Sequence, residues 1–266
     1  MKTTFYHQKK IAYTVSGDGS NLIFLHGFPM DHRVWDGFIP VLESHFRVIA
    51  IDLPGFGQSE MQGHIHSMDM MAGAVNAVME QEQIAKAVIV GHSMGGYVAM
   101  AFAGLFPSKL EGIVLFHSHA AADDEAALAS RNAAIAQASS DHLTFVSQFA
   151  AGLFDSKFLK QQPEAVQTID DIVRSQKKEA VVAALAGMRD RSSKLDVLHQ
   201  MAVPILFILG KTDSRMPFAH LMAQLALPAQ AELLLLSGVG HMGYLESANT
   251  TRSAIRHFAQ RCFDNS

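Results

Sequence analysis

Short, nearly continuous apolar runs recur along the chain, separated by longer stretches in which apolar positions return every three or four residues. Six of the runs predict strands, over residues 21–26, 46–51, 87–91, 112–117, 205–210 and 231–236. They are aliphatic with little polar alternation, the pattern of parallel strands covered on both faces. Between them a 3.6-residue period predicts helices over 67–83, 94–105, 218–227 and 246–258. Such alternation specifies an α/β fold with a mostly parallel sheet flanked by helices. Residues 10–15 and 21–24 also suit an N-terminal antiparallel section.

The alternation stops between about His119 and Ser193, where four or five helical segments follow one another without a strand. Asp123 and Asp141 stand where N-caps are expected, and Pro163 suits the first turn of a further helix. Leu143, Val146, Phe149, Ala150 and Leu153 repeat at helical spacing, as do Val166, Ile169, Ile172 and Val173. Helices inserted between two strands of a parallel sheet suggest a lid. The organisation expected is therefore a core of residues 1–118 and 194–266 carrying an all-helical cap over 119–193. A length of 266 residues fits one domain with one such insertion.

Composition narrows the function classes. Hydrophobic residues make up 49% of the chain and charged ones 17%, the profile of a folded domain. A formal charge of -4, with basic residues no more clustered than Lys9-Lys10 and Lys177-Lys178, argues against nucleic acid or anionic membrane as a partner. Cys262 is the sole cysteine, which excludes an intrachain disulfide and a cysteine-based zinc site. The first residues lack a signal-peptide pattern, and no apolar run approaches the ~20 residues that span a bilayer, so a cytoplasmic protein is expected. Monomer and homodimer both remain open.

The chemistry is concentrated in Gly91-His92-Ser93-Met94-Gly95, which follows a predicted strand and opens a predicted helix. In that context G-x-S-x-G makes a tight, strained turn that lifts the serine hydroxyl above the sheet. The turn also sets the Met94 N–H at a helix N-terminus, where it can face a developing negative charge. A serine hydroxyl needs a base to remove its proton, and the base needs an orienting carboxylate. Asp213 follows the strand at 205–210, and His241 lies in the glycine-flexed loop after the strand at 231–236. Both therefore fall at the carboxyl edge of the sheet, where open α/β sheets bind ligands. The order Ser93, Asp213, His241 suits a catalytic triad of this topology.

From about residue 10 to its end the chain resembles the α/β-hydrolases. The resemblance rests on the turn at Ser93, on the wider segment 90–103, on His26-Gly27-Phe28-Pro29 after an early strand, and on Asp52-Leu53-Pro54-Gly55-Phe56-Gly57-Gln58-Ser59. It is nearest to esterases, lactonases and cofactor-free haloperoxidases. It implies a second oxyanion-hole N–H from Phe28, a helical cap over the active site, and no cofactor or metal. The Asp52–Ser59 loop reads as a structural turn. The H-G-G-G motif of one lipase and esterase branch is absent. Ser93 stands where haloalkane dehalogenases and epoxide hydrolases carry aspartate, so those chemistries are not expected. The expected reaction is hydrolysis of a small carboxylic ester or lactone through an acyl-enzyme. Carbon–carbon bond hydrolysis or perhydrolysis by the same triad, and a ligand sensor that keeps the triad, are the alternatives.

Weaker signals add little. His64-Ile65-His66 and His117-Ser118-His119 lack a neighbouring carboxylate or cysteine at zinc-ligand spacing. Phe145, Phe149, Phe154 and Phe158 read as packing between cap and sheet, with one or two as pocket lining for an apolar acyl or alcohol group. Trp35 reads as helix core.

Overall fold

The computed structural model describes residues 1–216 and 218–264, with Ala219 and His220 by their backbone alone. Pro217 and the last two residues of the expected core segment lie outside them. One eight-stranded sheet organises the chain, formed by β1 (Lys2–Tyr6), β2 (Lys9–Ser16), β3 (Asn21–Leu25), β4 (Arg47–Ile51), β5 (Ala87–His92), β6 (Leu110–Phe116), β7 (Ile205–Gly210) and β8 (Ala231–Leu236). The order is β1-β2-β4-β3-β5-β6-β7-β8. The β1–β2 and β2–β4 pairs are antiparallel, and every pair from β4 to β8 is parallel. The antiparallel section is thus β1 and β2, whereas β3 runs parallel between β4 and β5.

The helices are α1 (Met68–Gln81), α2 (Met94–Leu105), α3 (Glu125–Ser140), α4 (His142–Ala151), α5 (Ser156–Gln161), α6 (Pro163–Arg174), α7 (Lys178–Arg189), α8 (Leu195–His199), α9 (Phe218–Leu221), α10 (Gly243–Glu246) and α11 (Ala248–Asp264). Ser67 caps α1 by accepting from the Met70 N–H. The helix expected over 218–227 divides into α9 and a 3-10 turn at Met222–Ala226. That over 246–258 begins later, at Ala248, after the single turn of α10. Among the described residues no helix is long and apolar enough to cross a membrane.

Strands β5 and β7 are buried along their whole length, in keeping with their unbroken apolar runs. β8 departs from that expectation. It is the sheet edge, and its first three residues are exposed, with Leu233 at 42%. Beneath the carboxyl edge, Trp35 packs against Phe24, Phe38 and Tyr244, and all four are essentially excluded from solvent. Trp35 belongs to a 3-10 turn and is core. This aromatic floor supports the loops that follow β3, β5, β6 and β8.

Helices α3–α7 fill the interval between β6 and β7, α3 packing on α7 and α4 on α6. The stem of this insertion closes where the Lys194 N–H donates to the Ala120 carbonyl. Asp141 caps α4 and Pro163 opens α6, as expected. Asp123 does not cap α3. Asp124 does, accepting from the Ala127 N–H, because the Asp123 carboxylate is drawn to Arg131 and Arg191 instead.

Candidate active site

β3 and β5 are adjacent, yet the chain leaves them toward opposite sides of the sheet. The crevice above such a switch point is where ligands of open α/β sheets bind. Gly27 and Phe28 follow β3, and Ser93 follows β5. Ser93 has φ 52° and ψ -115°, a left-handed conformation that a side chain rarely adopts. Its backbone is braced on both sides: the N–H donates to the Phe116 carbonyl at 2.9 Å, and the carbonyl accepts from Ser118 Oγ at 2.8 Å. A side chain at Gly95 would strike the Leu25 carbonyl, so glycine lets α2 start tight against β3. Met94 is the first residue of α2, a position whose N–H has no intrahelical acceptor.

Asp213 and His241 meet although 28 positions separate them. The His241 Nδ1–H donates to Asp213 Oδ2 at 2.8 Å, and both side chains are buried. That bond leaves Nε2 as the accepting nitrogen of a neutral ring. Asp213 Oδ1 accepts from the N–H groups of Arg215 (2.8 Å) and Met216 (3.0 Å). Burial works against the Asp213 charge, but His241 and the donated hydrogen bonds outweigh it and hold the carboxyl well below the usual range.

The loop bearing His241 is fixed from three sides. Its own N–H donates to the Leu153 carbonyl at 2.7 Å, and its carbonyl accepts from His92 Nε2 at 2.8 Å. The Glu246 carboxylate accepts from the N–H groups of Gly240 and Met242 on either side, and from Asp155. The His92 and Glu246 side chains carry two of these supports, and the motif pattern assigned neither a role. Helical phase places Glu246 one turn from Met242, but nothing in the sequence says that its carboxylate turns back onto the loop.

Phe28, Ser93 and His241 line one cavity of about 760 Å³, roofed by α3, α4 and α7. Phe145 and Phe149 belong to its wall, and Phe149 packs edge-on to Phe28 at 5.2 Å between centroids. Phe154 and Phe158 stack on each other instead. His119 lines the cavity beside Tyr97. His117 turns away from it, its Nδ1 bonding to the same Asp213 oxygen at 2.9 Å. Although His117, Asp213 and His241 bring three ligand-type atoms together, both imidazole Nδ1 atoms are engaged on Asp213. His66 is buried, and its Nε2 accepts from the Gln62 N–H.

The Asp52–Ser59 loop is a brace. Asp52 accepts from the N–H groups of His32 and Gln58, and Ser59 Oγ donates to the Asp52 carbonyl. His26 Nε2 accepts from the Leu53 N–H, tying this loop to the turn that carries Phe28. Gln176 of the insertion clasps both loops, donating to Asp31 and accepting from the Gly57 N–H.

The alpha/beta hydrolase fold family matches residues 21–248. A solved esterase from Thermogutta terrifontis superposes with a TM-score of 0.92 at 28% identity, covering 98% of this chain and 97% of that one. The enol-lactonase of Burkholderia xenovorans shares the fold, with a TM-score of 0.89 at 20% identity over 97% and 99% of the two chains. The pimeloyl-[acyl-carrier protein] methyl ester esterase of Aeromonas hydrophila is 26% identical over 91% of this chain and 96% of its own. The dihydrolipoyllysine-residue acetyltransferase component of the acetoin cleaving system of Pseudomonas putida is 29% identical, and 94% of this chain spans 66% of its length.

Proposed function

The chain belongs to the alpha/beta hydrolase fold family, and within it we propose a serine hydrolase that cleaves a small carboxylic ester or lactone through an acyl-enzyme. The observation that carries this reading is that Ser93 and a carboxylate-bound histidine open into the same cavity. Ser93 and His241 line one cavity, and the Nδ1–H of His241 is held by Asp213 at 2.8 Å. The esterase relatives at 28% and 26% identity support the same reaction class.

In this reading His241 Nε2 removes the Ser93 proton as Oγ attacks the carbonyl carbon. The N–H groups of Phe28 and Met94 receive the oxyanion, and loss of one such donor typically costs about 2.7–4 kcal/mol. His241 then protonates the departing alkoxide, and water releases the acid by the reverse path. Asp213 holds the imidazole tautomer throughout. The helices of residues 119–193 act as a cap, and Phe145 and Phe149 favour an apolar acyl or alcohol group against the wall they form.

The test is turnover of p-nitrophenyl acetate and butyrate by the wild type and by Ser93→Ala. Activity is expected in the first and is expected to fall by several orders of magnitude in the second. Unchanged turnover by the variant overturns the assignment.

A further inference from the structure

The Asp213 carboxylate serves two histidines. Oδ2 accepts from His241 Nδ1 at 2.8 Å and from His117 Nδ1 at 2.9 Å, while Oδ1 is filled by two backbone N–H groups. The second imidazole is not an incidental neighbour. His117 is fully buried, follows the last residue of β6, and sits at φ 49°, a left-handed conformation that a side chain rarely adopts. Its N–H donates to the Ile208 carbonyl of β7, and its neighbours Phe116 and Ser118 hold the Ser93 backbone. One three-residue turn thus grips the backbone of the proposed nucleophile and the carboxylate that orients the proposed base.

The proton positions follow from the partners. A carboxylate oxygen that accepts from both Nδ1 atoms requires a hydrogen on each. For His117 that leaves Nε2 as a bare acceptor, buried and without a hydrogen-bond partner among the described residues. A Cβ at Gly243 would lie 2.5 Å from it, so the ring is packed on that side. A proton on Nε2 would find no acceptor there, and burial holds the His117 pKa below its usual value despite Asp213. The titratable groups around the two imidazoles and their shared carboxylate are Asp213 and Arg215 after β7, His92 on β5 with Tyr244 packed against it, and Glu246 on α10, whose carboxylate holds the N–H groups flanking His241. Burial disfavours the charged form of both His92 and Tyr244.

We infer that His117 is a positioning residue for this site: a buried imidazole whose Nδ1–H fixes the Asp213 carboxylate and draws charge from the oxygen that faces His241. A hydrogen bond to the ionised form of a carboxylate stabilises that form and makes it less basic. The imidazolium of His241 is then less strongly held, so the base becomes neutral, and competent, at lower pH. Removing the His117 donor leaves Oδ2 to His241 alone and raises the pH at which His241 loses its proton.

This inference rests on the triad reading above. The decisive measurement is the acidic limb of kcat/KM against pH, which reports ionisation of the free enzyme, for the wild type, His117→Phe and His117→Asn. Asparagine presents an N–H where Nδ1 stands, and phenylalanine keeps a ring without the donor. The limb of His117→Phe is expected to move up by about half a pH unit or more. His117→Asn is expected to keep the wild-type limb. An unmoved limb in His117→Phe overturns the inference, as does an equal shift in both variants. A turn with a purely structural role lowers kcat without moving the limb.

Ring-nitrogen NMR of the wild type gives a reading independent of how the variants fold. It is expected to find His117 protonated on Nδ1 alone from about pH 5 to 8. A proton on Nε2 in that range overturns the inference. An active Ser93→Ala defeats the triad reading itself, whereas an inert Ser93→Ala with an unmoved limb in His117→Phe defeats this inference alone.

Discussion

His92 Nε2 donates to the backbone carbonyl of His241 at 2.8 Å, so the residue before the proposed nucleophile holds the main chain of the proposed base. A carbonyl can only accept, which fixes the hydrogen on Nε2 and leaves His92 Nδ1 bare, buried beside Gly27. The first variable position of the G-x-S-x-G turn therefore ties the end of β5 to the loop after β8. His92→Leu leaves the His241 carbonyl without this donor, a loss of about 1–3 kcal/mol. We expect kcat for p-nitrophenyl acetate to fall about tenfold or more with KM little changed, because orientation of the base rather than substrate binding is disturbed. His92→Gln, which restores an N–H, is expected to recover part of the loss. Equal kcat in all three proteins would refute the tie.

Glu246 gathers three backbone N–H groups, from Gly240, Met242 and Asp155, around the His241 loop. Burial raises its pKa, and those three donors pull against that rise. Glu246→Gln replaces one accepting oxygen with an amide nitrogen and strands at least one N–H. We expect a loss of about 1–3 kcal/mol, seen as a Tm lower by several degrees, together with reduced kcat. Calorimetry and steady-state kinetics on the same preparation check both effects. An unaltered Tm would show that the loop does not depend on this carboxylate.

Gln176 is the matching support on the other side of the cavity, its Nε2 donating to Asp31 at 2.7 Å and its Oε1 accepting from the Gly57 N–H at 3.0 Å. Gln176→Ala removes two of the hydrogen bonds between the insertion and the loops that follow β3 and β4. Limited proteolysis is expected to cut within residues 119–193 faster than in the wild type, with KM raised more than kcat is lowered. Equal cleavage rates would place the anchoring of the insertion elsewhere.

These contacts mark the boundary of what the sequence carries. The strands at 205–210 and 231–236 and the helix at 94–105 coincide with β7, β8 and α2, because unbroken aliphatic runs and a glycine-flanked turn each admit one local solution. The elements that bring Ser93, Asp213 and His241 to one sheet edge were legible for the same reason. β1 was not, since Lys2–Tyr6 is a short, mostly exposed edge strand whose pairing with β2 decides its conformation. Asp123 stands where a cap is expected, but Arg191, nearly seventy residues away, draws its carboxylate off and leaves Asp124 to cap α3. His117 was visible beside His119, but a strand pattern puts both on one face. The left-handed turn at His117 sends it to Asp213 while His119 reaches Tyr97.

Buried histidines also set the response to acid. Burial holds His26 below its usual pKa, holds His66 down to about 4, and, with the nearby His241 and His117, holds His92 well below. A histidine with a depressed folded-state pKa binds a proton more readily in the unfolded chain. Its contribution is therefore fully present above about pH 6.5 and is lost as pH falls toward the folded value. Each such group removes about 1.4 kcal/mol per pH unit in that window. His32 works in the opposite sense: burial lowers its pKa, but the bond to Asp52 and the acidic neighbours outweigh that and raise it, adding stability at low pH that is lost as pH rises through the raised value. His117, which burial also holds below its usual value, makes four depressed groups against one raised group, and together they predict a Tm that falls steadily from about pH 6.5 to 5. His66→Gln keeps an acceptor for the Gln62 N–H that His66 Nε2 now meets and carries no titrating charge. Differential scanning calorimetry across that range is expected to give a shallower slope in His66→Gln than in the wild type. Parallel slopes would mean that His66 protonates no more readily in the unfolded chain than in the folded one.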